Sequence, residues 1–395
     1  MILDIAIIAA MLAAAAALLA PGLRRWAVWR AMVTPLASII GSGFLILGPL
    51  LNHAFGIYAP LAMALLCLVA WGFGAAIRDN IAFLGNTARR EQNQGAESLA
   101  AAALGFAYMI SVAYYLNLLG SFALSLTPFG TPFNARLLTS AVYLLIGFVG
   151  WTRGFKMLES MEYASVAVKL SIIAGLLVAL GVYFTQNALN GSIVLEAPRE
   201  TGLAAITLGF GLIVTVQGFE TSRYLGGDYD AQTRIRSMRM AQILSTAIYI
   251  LYIALVSYSF SAGSNTLSET AIVQMMGLVS PVLPFLLVAA ALAAQFSAAV
   301  ADTNGSGGLV FELSRKRIPQ RLAYVLTVAV GLGITWAADV FQIIAYASRA
   351  FAAYYGIQAA IAAVRVWPAH KPRAVLYAVL AVLGVAMAVF GRSFE

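Results

Sequence analysis

Long apolar runs follow one another along this chain almost without interruption. Of its 395 residues, 62% are hydrophobic and only 10% are charged, which is too few to cover the surface of a soluble domain of that length. A membrane β-barrel would instead show alternating segments of about 10 residues. The pattern therefore predicts an all-α integral membrane protein.

Dividing the runs into bilayer-spanning lengths predicts about 12 transmembrane helices. They lie near residues 2–20, 31–51, 57–77, 98–127, 135–151, 161–184, 201–222, 241–262, 278–313, 320–337, 339–365 and 373–391. With the N-terminus outside, the cytoplasmic connectors contain 19 of the 24 Lys and Arg residues and the outer connectors contain three. This positive-inside bias predicts the number of spans and an orientation in the cell (inner) membrane. The first run follows the acidic start "MILD" and precedes its arginines, so we expect an uncleaved helix.

The residue types that carry most cofactor and catalytic chemistry are scarce. The chain has one cysteine, Cys67, and two histidines, His53 and His370, so neither a disulfide framework nor a thiolate metal site is available. No predicted span contains a paired carboxylate, a histidine cluster or a serine beside a base. We therefore expect no catalytic residues, no metal, no cofactor and no enzyme activity. The net charge of +8 belongs to the cytoplasmic connectors, so no nucleic acid partner is expected.

Glycines interrupt two predicted spans at corresponding places. The first is "SIIGSGFLILGPLL" (38–51), and five spans later comes "TLGFGLIVTVQGFE" (207–220). An odd number of spans per half inverts one half relative to the other, which predicts a 5+5 inverted repeat. Its parts would be an extra N-terminal helix and basic connector in 1–30, the two repeats in 31–184 and 201–365, and an additional C-terminal helix in 366–395. Matching broken spans are the best sequence pointer to a transporter's central site.

An unwound helix inside the bilayer exposes backbone N–H and C=O groups, which cost several kcal/mol apiece if nothing pairs with them. We therefore expect a substrate or ion to pair with the backbone at these two places, where glycine permits close approach. The alternative is that Gly41 and Gly43 merely allow close packing of helices.

Four motifs resemble the amino acid–polyamine–organocation (APC) transporters, in the order found in that family. They are "IIGSGFLIL" (39–47), "VAVKLSIIAGLL" (166–177), "QGFETSRYLGG" (217–227) and "FELSRKRIP" (311–319). The resemblance covers about 31–365 and implies a LeuT-type fold, with a substrate held between the broken helices and coupled to sodium or protons. It also implies that Gly41, Ser42 and Gly43 bind a substrate carboxylate, and N–H donors at a half-helix N-terminus suit an anion on physical grounds as well. The family's acidic pair and Asn-Pro are replaced here by "RYLGGDYDAQTR" (223–234), which leaves the substrate class open.

Charges within the spans need a reason, because each costs about 2.5–3.5 kcal/mol at the bilayer centre. Lys169 and Asp302 fall at compatible depths, so we hypothesise that they meet. In this hypothesis Lys169 is the proton-coupling group, with Asp302 and the carbonyls near Gly41 as partners. Thr303 and Asn304 extend the same polar run. The alternative is a static ion pair.

Other polar residues of the spans are candidates for the substrate site or for structural pairing. We predict that Tyr115, Gln217, Gly218 and Tyr355 line the site, although tyrosines are also common interfacial anchors. Arg349 is predicted to bind an anionic substrate or to neutralise an acid such as Glu220. Glu220 itself is expected at the inner end of its helix as a structural tether.

These observations predict a secondary active transporter of a small organic solute, an amino acid or related amine, that works by alternating access with H+ as the coupling ion. One alternative is a carrier of the same fold that is coupled to Na+ or moves an inorganic ion. Another is a non-transporting membrane sensor or subunit. The extra first helix is a candidate contact for a homodimer.

Overall fold

The computed structural model describes residues 2–41, 43–85, 94–152, 162–263 and 267–394, and every element in these ranges is helical. The all-α class is therefore confirmed for the described part of the chain. The α-helices are α1 Ile2–Leu19, α2 Pro21–Arg25, α3 Ala27–Ile39, α4 Gly43–Phe55, α5 Ala59–Leu84, α6 Gln94–Leu124, α7 Pro132–Thr152, α8 Glu162–Leu189, α9 Gly202–Phe210, α10 Ala231–Ser257, α11 Ala271–Val279, α12 Leu283–Leu313, α13 Gln320–Ala337, α14 Val340–Val366 and α15 Lys371–Phe390. Short 3₁₀ segments occupy Gly56–Tyr58, Ile213–Val216 and Phe219–Gly227.

Eight helical segments of the described ranges are long and apolar enough to cross a bilayer. They are Ile2–Arg25, Gly43–Leu84, Gly95–Leu124, Pro132–Thr152, Tyr163–Leu189, Ala231–Ser257, Leu283–Leu313 and Lys371–Phe390. Two predicted spans are missing as continuous helices because α3 has only 13 residues and α9 only nine. Helices α13 and α14 occur where spans were predicted, without being among the eight. The total of 12 stays a prediction.

Helices α3 and α4 and the 3₁₀ segment Ile213–Val216 lie inside the helix packing, whereas α9 is mostly exposed or half-buried. Helix α10 packs against α3, α4 and α5, and α14 packs against α5, α6 and the 3₁₀ segment Ile213–Val216. Two further helices pack on the outer side of these: α12 lies along α6, and α15 lies along α14. The last contact is close because a Cβ added to Gly384 would lie 2.6 Å from the Cα of Gly356. Small residues permit such backbone approach between membrane helices.

Helix α1 lies on the outside of the bundle, against α8. At Gly175 of α8, an added Cβ would lie 3.1 Å from the carbonyl oxygen of Ile7. The Tyr163 hydroxyl donates a hydrogen bond to the Leu18 carbonyl at 2.5 Å. The opposite face of α1 is exposed and apolar, for example at Ile2 and Leu12. This face suits lipid, and a homodimer contact through it stays a prediction.

Helix α10 begins ten residues before the predicted span at 241. Asp230 precedes it as N-cap, and its side chain accepts a hydrogen bond from the Thr233 N–H at 2.7 Å. Such a cap satisfies one of the N–H groups that a helix start leaves without an intrahelical partner. The helix therefore extends ten residues beyond the predicted span, because capping and not hydropathy determines where it starts, and the bounds of the span itself stay a prediction.

Candidate substrate site at two helix breaks

The first break separates α3 from α4, as predicted. Helix α3 ends at Ile39, Ile40 has the non-helical angles φ −84° and ψ 61°, and α4 begins at Gly43. The Lys169 ammonium of α8 donates to the Ala37 carbonyl at 2.8 Å, within the last turn of α3. Ser42 lies outside the described residues, so its predicted contact with substrate remains a proposal.

The second break separates α9 from the 3₁₀ segment Phe219–Gly227, also as predicted. After Phe210 the chain forms the short segment Ile213–Val216, and Gly218 then adopts φ +116°. Only glycine takes such a value without strain. The inner part of this span is 3₁₀ and not α-helical, which the sequence pattern did not predict.

The two breaks are in direct contact. A Cβ added to Gly218 would lie 2.4 Å from the Cβ of Ser38, and one added to Gly43 would lie 3.0 Å from the Cα of Thr215. The Tyr249 hydroxyl is 2.7 Å from the Ile39 carbonyl oxygen and 2.8 Å from that of Thr215. Glycine thus serves both proposed purposes here, since Gly43 and Gly218 lie at breaks and also let the segments pack closely.

Side chains pair with two backbone N–H groups at the second break and with one carbonyl inside α4. The Ser348 hydroxyl accepts from the Val214 N–H at 3.1 Å, the Glu220 carboxylate accepts from the Gly218 N–H at 2.9 Å, and the Tyr252 hydroxyl donates to the Leu45 carbonyl at 3.1 Å. We expected a substrate or ion in this role. For these groups the expectation is corrected, because the protein supplies the partners itself.

Four predicted site residues gather at the second break, each at most 2% exposed. The Gln217 amide donates to the Tyr115 hydroxyl at 2.7 Å, and the Tyr355 hydroxyl donates to Glu220 Oε2 at 2.8 Å. The remaining oxygens, Gln217 Oε1 and Glu220 Oε1, are buried and accept no hydrogen bond from any described residue. Buried acceptors are normally satisfied. Each of these two side chains therefore has one acceptor oxygen at the second break that no described residue satisfies.

The space beside the breaks is small in this conformation. A cavity of about 10 Å³ is lined by Ile39, Val216, Tyr249 and residues of α5 and α10. This volume is near the minimum of about 10–15 Å³ that one water molecule needs. This cavity is therefore too small for an organic solute in the present conformation.

The predicted pairing of Lys169 with Asp302 is not the contact that the structure has. Helices α8 and α12 do pack together, but Asp302 accepts from the Ser111 hydroxyl of α6 while Lys169 donates to Ala37. Thr303 donates to the Ala299 carbonyl of its own helix at 2.7 Å, and Asn304 accepts from the Tyr324 hydroxyl at 3.0 Å. The polar run of α12 therefore contacts neighbouring helices at several faces, which depth along a span cannot reveal.

Two further expectations differ from the structure, namely the pairing of Arg349 with Glu220 and a partly hydrated position of Glu220, whereas binding of an anionic substrate by Arg349 stays a prediction. The Arg349 side chain is exposed and donates to the Ala388 carbonyl of α15 at 2.7 Å, away from Glu220. Glu220 is fully buried at the break and is not at a hydrated helix end. Both errors have one cause, since the face of a helix on which a residue falls depends on where the winding stops. Glu220 still acts as a tether, through Gly218 and Tyr355.

Sequence reasoning missed the residues that join the breaks. Tyr249 and Tyr252 are three residues apart in "STAIYILYIALVS" (245–257), so they face the same side of α10. Two hydroxyls on one face of a membrane helix are a signal that could have been used. Ser348 is adjacent to Arg349 in the chain. The charged Arg349 was the predicted site residue, but Ser348 makes the contact with the second break.

An ion-pair network closes the side on which the predicted cytoplasmic connectors lie. The Glu97 carboxylate pairs with Arg223 at 2.5 Å and with Arg365 at 2.8 Å. The Arg223 guanidinium also donates to the Gln358 side chain, to which Asn80 donates at 2.9 Å. The network ties the 3₁₀ segment Phe219–Gly227 to α5, α6 and α14.

The opposite end is closed by the segment after α15. The Arg392 N–H donates to the Thr207 carbonyl of α9 at 3.0 Å, and an ion pair joins Arg392 to Glu200. The Phe394 ring lies 5.5 Å from the ring of His53 and 5.3 Å from that of Phe341, measured between centroids. Both ends of the site are thus covered in this conformation.

The sequence also matches a known protein family. Residues 21–391 match a family model described as an APC superfamily transporter, which is most of the chain. The chain belongs to the APC superfamily. A similar protein is an uncharacterized protein of Aquifex aeolicus (strain VF5), which is 40% identical over 386 residues, covering 95% of this chain and 94% of that protein. The resemblance inferred from four motifs is confirmed. In this APC transporter, α1 precedes the matched region.

Proposed function

We propose that this APC superfamily member is a secondary active transporter of an amino acid or related amine. The observation that carries the proposal is the contact between two helix breaks, where the buried acceptors Gln217 Oε1 and Glu220 Oε1 lack a donor. An ammonium group offers three N–H donors and no acceptor, so it complements these two oxygens. Tyr115 and Tyr355 orient them by binding the other polar atom of each side chain.

The first break supplies the complementary group for a carboxylate. Helix α4 begins at Gly43, and the first N–H groups of a helix have no intrahelical partner and carry partial positive charge. We propose that Gly41, Ser42 and Gly43 bind the carboxylate while Gln217, Gly218 and Glu220 bind the amine. A solute with both groups would then span the two breaks.

The architecture that we propose is a 12-helix LeuT-type fold in the inner membrane, with the N-terminus outside. Its repeats are 31–184 and 201–365. Two breaks five spans apart and the excess of Lys and Arg in alternate connectors support this arrangement. Because the breaks pack against each other, transport requires alternating access, in which the broken helices separate first on one side and then on the other.

We propose Lys169 as the proton-coupling residue. Its ammonium donates to the Ala37 carbonyl of α3, and hydrogen bonds from ionised donors are roughly twice as strong as neutral ones. Loss of the proton would weaken the attachment of α3 to α8 and favour movement of the first broken helix. Protonation of Lys169 would thus be linked to opening of the site.

Counterflow of labelled amino acids and amines in proteoliposomes tests the transport proposal, because only alternating access gives exchange. The Lys169→Ala variant should retain counterflow but lose accumulation driven by a pH gradient, whereas the control Lys371→Ala, at the exposed start of α15, should retain both. Accumulation by Lys169→Ala at the wild-type rate would remove Lys169 from the mechanism. Accumulation that follows a Na+ gradient and ignores pH would instead support the sodium-coupled alternative. Absence of counterflow for every solute of this class would overturn the proposed substrate class.

A further inference from the structure

A groove of about 480 Å³ lies between α5, α10 and α15, away from the helix breaks. Three arginines line it, namely Arg78, Arg239 and Arg373, together with one carboxylate, Asp79. They lie near the end of α5 and the starts of α10 and α15, which is the side of the basic connectors. The groove therefore has two more positive than negative side chains.

The charges of the groove are only partly neutralised by the protein. Asp79 pairs with Arg373 at 2.8 Å and accepts from the Tyr377 hydroxyl at 2.7 Å. Arg78 is 5% exposed, donates to the neutral Gln242 amide at 2.5 Å and lies 4.6 Å from the centroid of the Trp71 ring. A buried guanidinium whose hydrogen-bond acceptor is an amide favours the approach of a further anion.

The surroundings of the groove are apolar. Ile243 lines it and is 54% exposed, and Leu376 on α15, three residues after Arg373, is also 54% exposed. On a protein of the membrane, such a surface faces hydrocarbon. An occupant of this place therefore needs an anionic head that reaches the arginines and an apolar part that lies along α10 and α15.

We propose that this groove binds the headgroup phosphate of an anionic phospholipid, with the acyl chains along Ile243 and the exposed face of α15. Basic pockets between transmembrane helices suit such headgroups. One phosphodiester charge balances part of the excess, and the guanidinium forks of Arg78 and Arg239 match phosphate oxygens. Free inorganic phosphate shares the headgroup chemistry but has no apolar part that could contact the rim of the groove. The apolar rim therefore favours the lipid.

Gln242 connects this groove with the core. Its side-chain oxygen accepts from Arg78, its nitrogen donates to the Ala70 carbonyl at 2.9 Å, and the residue also lines the small cavity beside the breaks. A headgroup bound to Arg78 would thus be separated from the proposed transport site by one side chain, that of Gln242. Binding itself, however, is measured without any transport assay.

The test compares wild-type protein with the Arg239→Gln and Arg239→Gln/Arg373→Gln variants, titrated with phosphatidylglycerol or phosphatidylcholine and observed by native mass spectrometry. A surface arginine contributes about 1 kcal/mol to binding of anionic lipid, so we expect phosphatidylglycerol affinity to fall about fivefold in the single variant and about 25-fold in the double variant. Phosphatidylcholine binding should not change. Arg317→Gln, an exposed arginine in the connector between α12 and α13, is the matched control and should keep wild-type affinity.

Two outcomes would overturn the proposal. In one, the double variant binds phosphatidylglycerol within about twofold of wild type, or the Arg317→Gln control loses as much affinity as the double variant. In the other, millimolar inorganic phosphate raises the thermal unfolding temperature as much as phosphatidylglycerol does and displaces it, which would assign the groove to a free anion. Since Arg239 and Arg373 are both exposed, the variants are expected to fold, and unfolding temperatures near the wild-type value would verify this.

Discussion

The two breaks differ in length and in how their non-helical backbone is stabilised. The first is short, and α-helix resumes at Gly43 directly after it. The second extends from Phe210 to Phe219 and continues as a 3₁₀ segment, whose hydrogen-bond geometry is poorer. Its backbone relies on side chains from elsewhere, such as Ser348 of α14 and Tyr249 of α10. Tyr249 and Lys169 also contact the first break, but its non-α-helical stretch is shorter, so we expect the second break to depend more on its neighbours.

This difference predicts that backbone substitutions at the second break have the largest effect. Gly218→Ala places a Cβ at φ +116° and against Ser38, which we expect to cost about 2–5 kcal/mol from strain and overpacking and to abolish counterflow. Gly209→Ala is the matched control, because its added Cβ meets nothing within 4 Å in α9. Thermal unfolding and counterflow measure both. Equal effects of the two substitutions would show that Gly218 has no special conformational role.

At the first break, Gly43→Ala is expected to be less severe. The added Cβ would lie 3.0 Å from the Thr215 Cα and 2.8 Å from the Tyr114 hydroxyl, but the backbone of Gly43 needs no positive φ. We expect a loss of about 1–3 kcal/mol from overpacking alone, with residual counterflow. If Gly43→Ala destabilises the protein more than Gly218→Ala, the comparison between the breaks is reversed.

The next largest loss of stability is expected at Tyr249, whose hydroxyl contacts both breaks. Tyr249→Phe leaves the Ile39 and Thr215 carbonyls without this donor, and we expect a loss of about 1–3 kcal/mol in the free energy of unfolding. Tyr252→Phe is the control, since the Tyr252 hydroxyl donates only to Leu45 among the contacts seen, and its loss should be smaller. A larger effect of Tyr252→Phe on thermal unfolding would contradict the bridging role of Tyr249.

The smallest expected effect concerns the end of the second broken helix. Glu97→Gln removes the ionic part of the contacts with Arg223 and Arg365, whose side chains are only 10% and 4% exposed, but the amide still offers an acceptor oxygen. We therefore expect a loss of about 1 kcal/mol in global stability, the difference between a hydrogen bond to a charged group and one to a neutral group. Hydrogen exchange in 219–227 should nevertheless become faster, while exchange in α4 stays as in wild type. Faster exchange in α4 instead would mean that the network holds the first broken helix as well.

The sequence indicated the places of the breaks because glycine and proline leave a visible pattern, and it indicated the class because few charges cannot cover a soluble surface. Gln217 and Gly218 were found from the second broken segment itself, and Tyr115 and Tyr355 from tyrosines well inside other spans. The structure brings them together. Lys169, Asp302 and Arg349 were judged from depth along a span. Backbone carbonyls near Gly41 were predicted as partners of Lys169, which donates to Ala37. The contacts of Asp302 and Arg349 were not predicted. Depth gives the height of a residue in the membrane, whereas a contact also depends on the direction of its side chain.

By itself the sequence determined the helical membrane class, the APC family and the two points at which helices stop, since hydropathy and backbone freedom are properties of each residue. Only the tertiary structure decided that the breaks touch each other, that Tyr249 joins them and that Glu220 is buried there. These contacts join residues as much as 210 positions apart. Their geometry follows from how whole helices rotate and pack, which no local pattern records.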